Sequence, residues 1–224
     1  MRVGHPDGGK LECAMSSQAH WDTIYRTKAS DEMSWFQAEP RTSVAFIRRA
    51  APDPAARIID VGGGASSLVD RLIDAGYRAL TVLDLSGAAL ETSRRRLGPA
   101  AATVDWIDGD VLTVELPRGG FDVWHDRAVF HFLTAPADRA RYVARLRRAI
   151  EPHGHAVIAT FAEDGPTRCS GLPVVRYSAD ALQGELGPEF TLVESAHEVH
   201  VAPAGVTQAF MYARLRFEGP SGKD

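Results

Sequence analysis

The residues most able to do chemistry open in the stretch Arg57-Ile58-Ile59-Asp60-Val61-Gly62-Gly63-Gly64-Ala65. A short apolar run ends in a carboxylate and passes into three glycines, where a backbone without side chains lets a ligand come close. Twenty-four residues on, Leu80-Thr81-Val82-Leu83 ends in a second carboxylate, Asp84, followed by Leu85. A third acidic pair stands in Asp108-Gly109-Asp110-Val111. A carboxylate can accept two hydrogen bonds from sugar hydroxyls or one from an exocyclic amine, so glycines plus carboxylates at strand ends describe a nucleoside site. Asp60, just before the turn, would repel a pyrophosphate and favour a cationic group. The third glycine of GxGxxG is replaced by Ser67, and no GxxxxGK[ST] run exists, which argues against a dinucleotide or a nucleoside triphosphate.

A second group of polar residues follows the later strands. Asp126, Arg127 and His131 come after the Phe121–His125 run, Phe161, Glu163, Asp164 and Cys169 after Ala156–Thr160, and His197 and His200 later still. In an open α/β sheet these positions lie beyond the carboxyl ends of strands, where substrates bind. Asp126 and His131 are therefore the candidate proton acceptors, and Arg127, Phe161, Cys169 and His200 candidate substrate-side groups. Arg127 can pair with an acidic substrate, with Asp126 or with Glu163. His125, His131, His197 and His200 lack HxxxH-type spacing, so no metal site is assigned. Cys169 has no identifiable partner that would make it a nucleophile.

The elements that must position these residues read as an alternation. Strands are expected at about 56–61, 79–84, 103–107, 121–126 and 156–161, with helices at about 65–75, from Ser86 to Leu97 and after Pro136. Gly76 ends the first of these helices and Ser86 caps the second. The arginines of the third, Arg139, Arg141, Arg145, Arg147 and Arg148, are expected on a solvated face rather than in a phosphate site. Residues 163–173 read as a Gly/Pro loop, followed by a short helix from Ser178 to Gly187. Two strands, 190–194 and 208–215, then pair antiparallel because their connector is too short for a helical crossover. The result is an α/β three-layer sandwich around a mostly parallel seven-stranded sheet with a reversed terminal strand. Ahead of it, Trp21, Ile24 and Tyr25 stand at helical spacing and Trp35 and Phe36 follow, either covering a sheet edge or closing over the site. A further helix is expected over 43–50, broken by Pro52 and Pro54.

The ordered motifs resemble those of class I S-adenosylmethionine-dependent methyltransferases. The carriers are Asp60-Val61-Gly62-Gly63-Gly64-Ala65, Asp84, Asp108-Gly109-Asp110-Val111 and Phe121-Asp122-Val123-Trp124. The runs from His20-Trp21 to Trp35-Phe36 and from Trp124-His125-Asp126-Arg127 to Phe132 resemble a bacterial group related to small-molecule and lysine methyltransferases. The resemblance covers about 18–217. It implies a Rossmann-like methyltransferase fold that binds S-adenosyl-L-methionine and releases S-adenosyl-L-homocysteine. Asp60 and the glycines would lie at the methionine and ribose region, Asp84 with Leu85 at the ribose, and Asp110 with Val111 at adenine. Trp21 would close over the cofactor, and Trp35 and Phe36 over the acceptor. The expected acceptor is a small molecule, with a protein lysine as the enzymatic alternative and a non-catalytic nucleoside-binding module as the alternative of another class.

Composition sets the outer limits. The 224 residues suffice for one domain with a sizeable core, and 45% hydrophobic with 24% charged residues is ordinary for a soluble globular chain. The formal charge of −4 disfavours a nucleic-acid binder working by charge alone. Two distant cysteines, Cys13 and Cys169, make no disulfide scaffold or zinc knuckle. No signal peptide or membrane-spanning run is evident, so the expected setting is the cytoplasm, without a membrane partner. Residues 1–17, in which Met15 is an alternative start, and 218–224 are expected to be tails.

Overall fold

The computed structural model describes residues 18–219; the expected tail at 1–17 and the end of the second, from 220, lie outside the described residues. Five parallel strands form the sheet's first part: β1 (Arg57–Val61), β2 (Ala79–Asp84), β3 (Val104–Asp108), β4 (Phe121–Arg127) and β5 (Ile150–Phe161). Two more, β8 (Phe190–Val201) and β9 (Thr207–Phe217), complete it in the order β3-β2-β1-β4-β5-β9-β8. Only β9 runs against its neighbours, pairing antiparallel with both β5 and β8. The expected architecture is present.

Strand alternation explains the three layers, since successive side chains enter opposite cores. Ile58, Val82, Val123 and Val157 pack toward α2 (Arg41–Ala50), α3 (Leu68–Asp74) and α4 (Gly87–Leu97). Their sequence neighbours Ile59, Leu83, Trp124 and Ile158 pack toward α5 (Pro136–Ala149) and α6 (Ala179–Leu186). Ser86 caps α4 by accepting from the Ala89 N–H, and Gly76 follows α3 with φ +92°. The α5 arginines do more than meet solvent. Arg139 pairs with Glu185 at 3.0 Å and Arg147 with Glu189 at 2.8 Å, tying α5 to α6 and to the turn before β8.

Three expectations change. β5 and β8 are each twelve residues long, so the segment joining β8 to β9 shrinks to residues 202–206 and most of the expected connector is strand. His197 and His200 consequently sit within β8 rather than after it. The Gly/Pro loop holds a two-residue hairpin, β6 (Arg168–Cys169) with β7 (Leu172–Pro173), turned by Ser170 and Gly171 at positive φ. The first helix, α1 (Gln18–Thr27), buries none of its residues. Ser86 holds it by donating to Asp22 at 2.6 Å. No helix among the described residues is long and apolar enough to cross a membrane.

Candidate active site

A cleft of about 920 Å³ opens at the carboxyl ends of β1 to β4. Its floor is made by Val61 and Gly62, Asp84 and Leu85, and Asp110 and Val111, the strand-end residues singled out from the sequence. Trp21, Tyr25 and Trp35 close it from the amino-terminal segment, and Arg127, Phe132 and Cys169 wall the other side. A second hollow of about 550 Å³ adjoins it, with Tyr25, Trp35, Gly62 and Arg127 shared as walls. Asp60, Gly63, Ser43, His125 and Phe36 line that hollow.

Each glycine has its own reason. Gly62 turns the chain at φ +70°, and a Cβ there would stand 2.1 Å from Val129 Cγ2. At Gly63 a Cβ would meet Asp60 Oδ2 at 2.4 Å. At Gly64 a Cβ would strike Asp84 Oδ2 at 2.5 Å and Ala89 at 2.9 Å. Its smallness lets the turn press against the Asp84 carboxylate and α4.

Asp84 is buried at the end of β2, and its Oδ1 accepts from the Ser86 N–H at 2.8 Å. Burial, followed by the neighbouring Asp60 and Asp108 charges, pushes its carboxyl up to about 7 against the N–H donors of Ser86 and Gly64. Asp110 accepts from the Leu112 N–H at 2.8 Å and lines the cleft, whereas Asp108 lies beside Gly87 and Gln18. Asp60 accepts from His125 Nδ1 at 2.7 Å, while its buried Oδ2 has no partner among the described residues. A carboxylate only accepts, so His125 carries its proton on Nδ1 and Nε2 is left for the Ser43 hydroxyl at 3.0 Å.

The walls are aromatic. Trp21 stands edge-on to Trp35 (5.9 Å between centroids) and Phe132 (5.3 Å), and Tyr25 edge-on to Trp35 (6.2 Å). α1 thus covers the cleft rather than a sheet edge. Arg127 is half-buried and makes neither of the ion pairs considered for it. Nε donates to the Tyr212 hydroxyl and Nη1 to the Trp35 carbonyl, both at 2.9 Å, and the guanidinium lies 4.3 Å from the Phe210 ring centroid. Its Nη2 is buried without a partner among the described residues.

Besides Gly64, four sequence candidates line neither the cleft nor the hollow beside it. Asp126 points into the opposite core, where it accepts from the Val129 and Phe130 N–H groups and from the Tyr142 hydroxyl. Burial still raises its carboxyl to about 6. His131 is fully buried, and its Nδ1 accepts from the Phe161 N–H at 3.3 Å. Burial, then the charge of Arg127, lowers it to about 3, so the ring stays neutral near pH 7 and has little basicity. Phe161 packs between His131 and Phe210, and His200 ties β8 to the Ser34 carbonyl at 2.9 Å. Cys169 does line the cleft, but burial pushes its thiol up to about 11, away from the reactive thiolate. His197 meets Asp164 at 3.2 Å, so the four histidines considered for a metal face four different partners.

The residues missed were Tyr25, Ser43, His125, Val129 and Phe132. The signal for Phe132 was at hand, one position from the chosen His131. Ala128 takes φ +72° and a 3-10 turn follows, which rotates Phe130 and His131 inward and Phe132 to the cleft.

Known proteins match both the sequence and this geometry. Residues 58–154 match the family model described as a methyltransferase domain. Over that stretch the chain is similar to methyltransferase domains. It is 29% identical over 116 residues to the ubiquinone/menaquinone biosynthesis C-methyltransferase UbiE of Ruegeria sp., covering 50% of this chain and 45% of that one. It is 24% identical over 152 residues to the eEF1A lysine and N-terminal methyltransferase of Danio rerio, covering 66% of this chain and 22% of that protein. The chain therefore spans less than half the length of these two relatives. Among solved structures, the 1,6-didemethyltoxoflavin-N1-methyltransferase of Burkholderia thailandensis, with bound 1,6-didemethyltoxoflavin and S-adenosylhomocysteine, superposes with a TM-score of 0.69 at 21% identity, covering 96% of this chain and 93% of that one.

Proposed function

We propose that the protein transfers a methyl group from S-adenosylmethionine to a small-molecule acceptor by direct displacement. The observation that carries this reading is the cleft itself. Asp84 at the end of β2 and Asp110 in the turn after β3 stand on one side, aromatic rings with Arg127 stand on the other, and Asp60 lines the adjoining hollow. The domain match and the relatives supply the donor chemistry.

The residues present fit such a donor. Asp84 would accept the ribose hydroxyls, Asp110 with the Val111 backbone would meet the adenine amine, and the unpartnered Asp60 Oδ2 would take the ammonium. When bound, the sulfonium supplies an already activated methyl group. The chain then has to align the acceptor and exclude water. Trp21, Tyr25, Trp35 and Phe132 are placed to do both, and Asp126 and His131 serve the core rather than the proton transfer first expected of them. Arg127 on the acceptor side would repel a lysine ammonium, which supports a small molecule over the protein lysine reading.

Calorimetry with S-adenosylhomocysteine and with NAD tests the donor. We expect saturable binding of the first and none of the second; binding of NAD alone would sink the reading. Transfer of labelled methyl from S-adenosylmethionine into small metabolites, and not into protein from the same extract, tests the acceptor class.

A further inference from the structure

We propose that the acceptor is a planar aromatic acid bound as its anion, with the charge held by Arg127; this rests on the methyl-transfer reading and names the substrate class of that site. Two separate observations carry it.

The first is an uncompensated cation. Arg127 forms no ion pair of 4.0 Å or less with a carboxylate among the described residues, although the other arginines of the fold pair widely. Its contacts are neutral: a phenol hydroxyl, a backbone carbonyl and the face of Phe210. Those contacts fix the guanidinium plane and leave Nη2 unmatched. A half-buried, rigidly held guanidinium without a counter-charge is costly alone and favourable with an anion, which its fork can bind through two parallel N–H bonds.

The second is that no usable base stands on that side of the cleft among the described residues. The lining carboxylates, Asp84 at the end of β2 and Asp110 in the turn after β3, lie on the side assigned to the donor. Cys169, pushed to about 11, and His131, walled off and lowered to about 3, cannot take a proton efficiently near neutrality. An acceptor that arrives ionised needs no base. Its anionic atom forms the new bond to the methyl carbon, the carbon–sulfur bond breaks, and its electron pair neutralises the sulfonium; no proton moves.

Arg127 also walls the hollow of Asp60, where the donor's amino-acid end would lie, but its own partners stand on the acceptor side. Arg127 faces Phe210 and Tyr212 of β9 and Cys169 of β6, and the sheet order puts β5 and β9 on the far side of β4 from β1 and β2. The ring is asked for by the walls, since Trp21, Trp35 and Phe132 line the cleft with aromatic surface on which a flat group can pack.

The test uses 4-nitrophenol, whose ionised form is coloured, titrated into the protein saturated with S-adenosylhomocysteine. We expect saturable binding with the bound phenol's pKa lowered by about one unit or more. Arg127→Gln should abolish that shift while leaving S-adenosylhomocysteine affinity within about threefold of wild type, and Arg127→Lys should keep the charge and part of the shift. If Arg127→Gln does not fold, the Arg127→Lys comparison decides between the same outcomes. An unshifted or raised phenol pKa, or no saturable binding, overturns the proposal. So does a variant that weakens S-adenosylhomocysteine about tenfold but leaves 5′-methylthioadenosine, which lacks the amino-acid end, untouched. Failure of wild type to bind S-adenosylhomocysteine would instead remove the methyl-transfer reading beneath it.

Discussion

His125 and Asp126 are neighbours on β4, both polar and both buried, and they serve opposite sides of the sheet. His125 faces the hollow beside the cleft and joins Asp60 to Ser43. Asp126 faces the α5 layer, gathers the N–H groups of Val129 and Phe130, and accepts from Tyr142, which itself accepts from Trp124 Nε1 at 2.8 Å. The first ties the carboxylate beside the glycine turn to α2. The second fixes the turn that presents Phe132 to the cleft. A carboxylate near an active site can thus be committed wholly to shaping backbone, and its neighbour on the other face can carry the polar link to the ligand.

The largest expected effect tests the Asp126 half of this contrast. Asp126→Ala strands two backbone donors and the Tyr142 hydroxyl in the core, and should cost about 3–5 kcal/mol in urea unfolding. A variant of near wild-type stability would return Asp126 to the catalytic candidates. On the cleft side, Asp84→Asn should weaken S-adenosylhomocysteine by about 1–3 kcal/mol by calorimetry. His125→Gln, which frees Asp60, should cost roughly 1 kcal/mol in the same measurement and nothing with 5′-methylthioadenosine. Equal losses with both ligands would place Asp60 away from the amino-acid end.

Two pH effects are smaller. Free Asp84 titrates near 7, and its ionised form is the one that accepts two hydroxyl donors. Affinity for S-adenosylhomocysteine should therefore fall as pH drops below 7, by at most about tenfold per unit, and Asp84→Asn should flatten the profile. His131 works in the opposite way from a paired group. Its folded value lies below the unfolded one, so its contribution to stability is complete above about 6.5 and is lost as pH falls toward 3. His131→Gln should lessen that acid loss in denaturant melts across the same window; an unchanged slope would mean that the ring is not held neutral.

Much of the sheet was legible in the chain. The runs ending at Asp60 and Asp84 have the length and punctuation of buried parallel strands, and their ends necessarily fall at the ligand side. β8 was harder. Its alternation from Thr191 to Val201 mixes Glu, His and Ala with Val, because one face is exposed and the other only half-covered. The β6–β7 hairpin was hidden because two-residue strands leave no periodic trace. Within the site, Asp110 could be separated from Asp108 only by the turn that accepts the Leu112 N–H.

Local order and residue type determined by themselves that a glycine turn follows a buried strand, that acidic groups close the next two strands, and that aromatic residues precede the domain. These depend on backbone sterics and on side-chain period, which act within a few residues. Only tertiary packing decided which of Phe130, His131 and Phe132 reaches the cleft, since a left-handed residue and a 3-10 turn reset the direction after β4. Packing also decided that Arg127 meets Tyr212 and Trp35 in place of Asp126 or Glu163. That choice turns on groups about 85 and 92 positions away in the chain, brought together by the order of strands and by α1 and the loop after it closing from above.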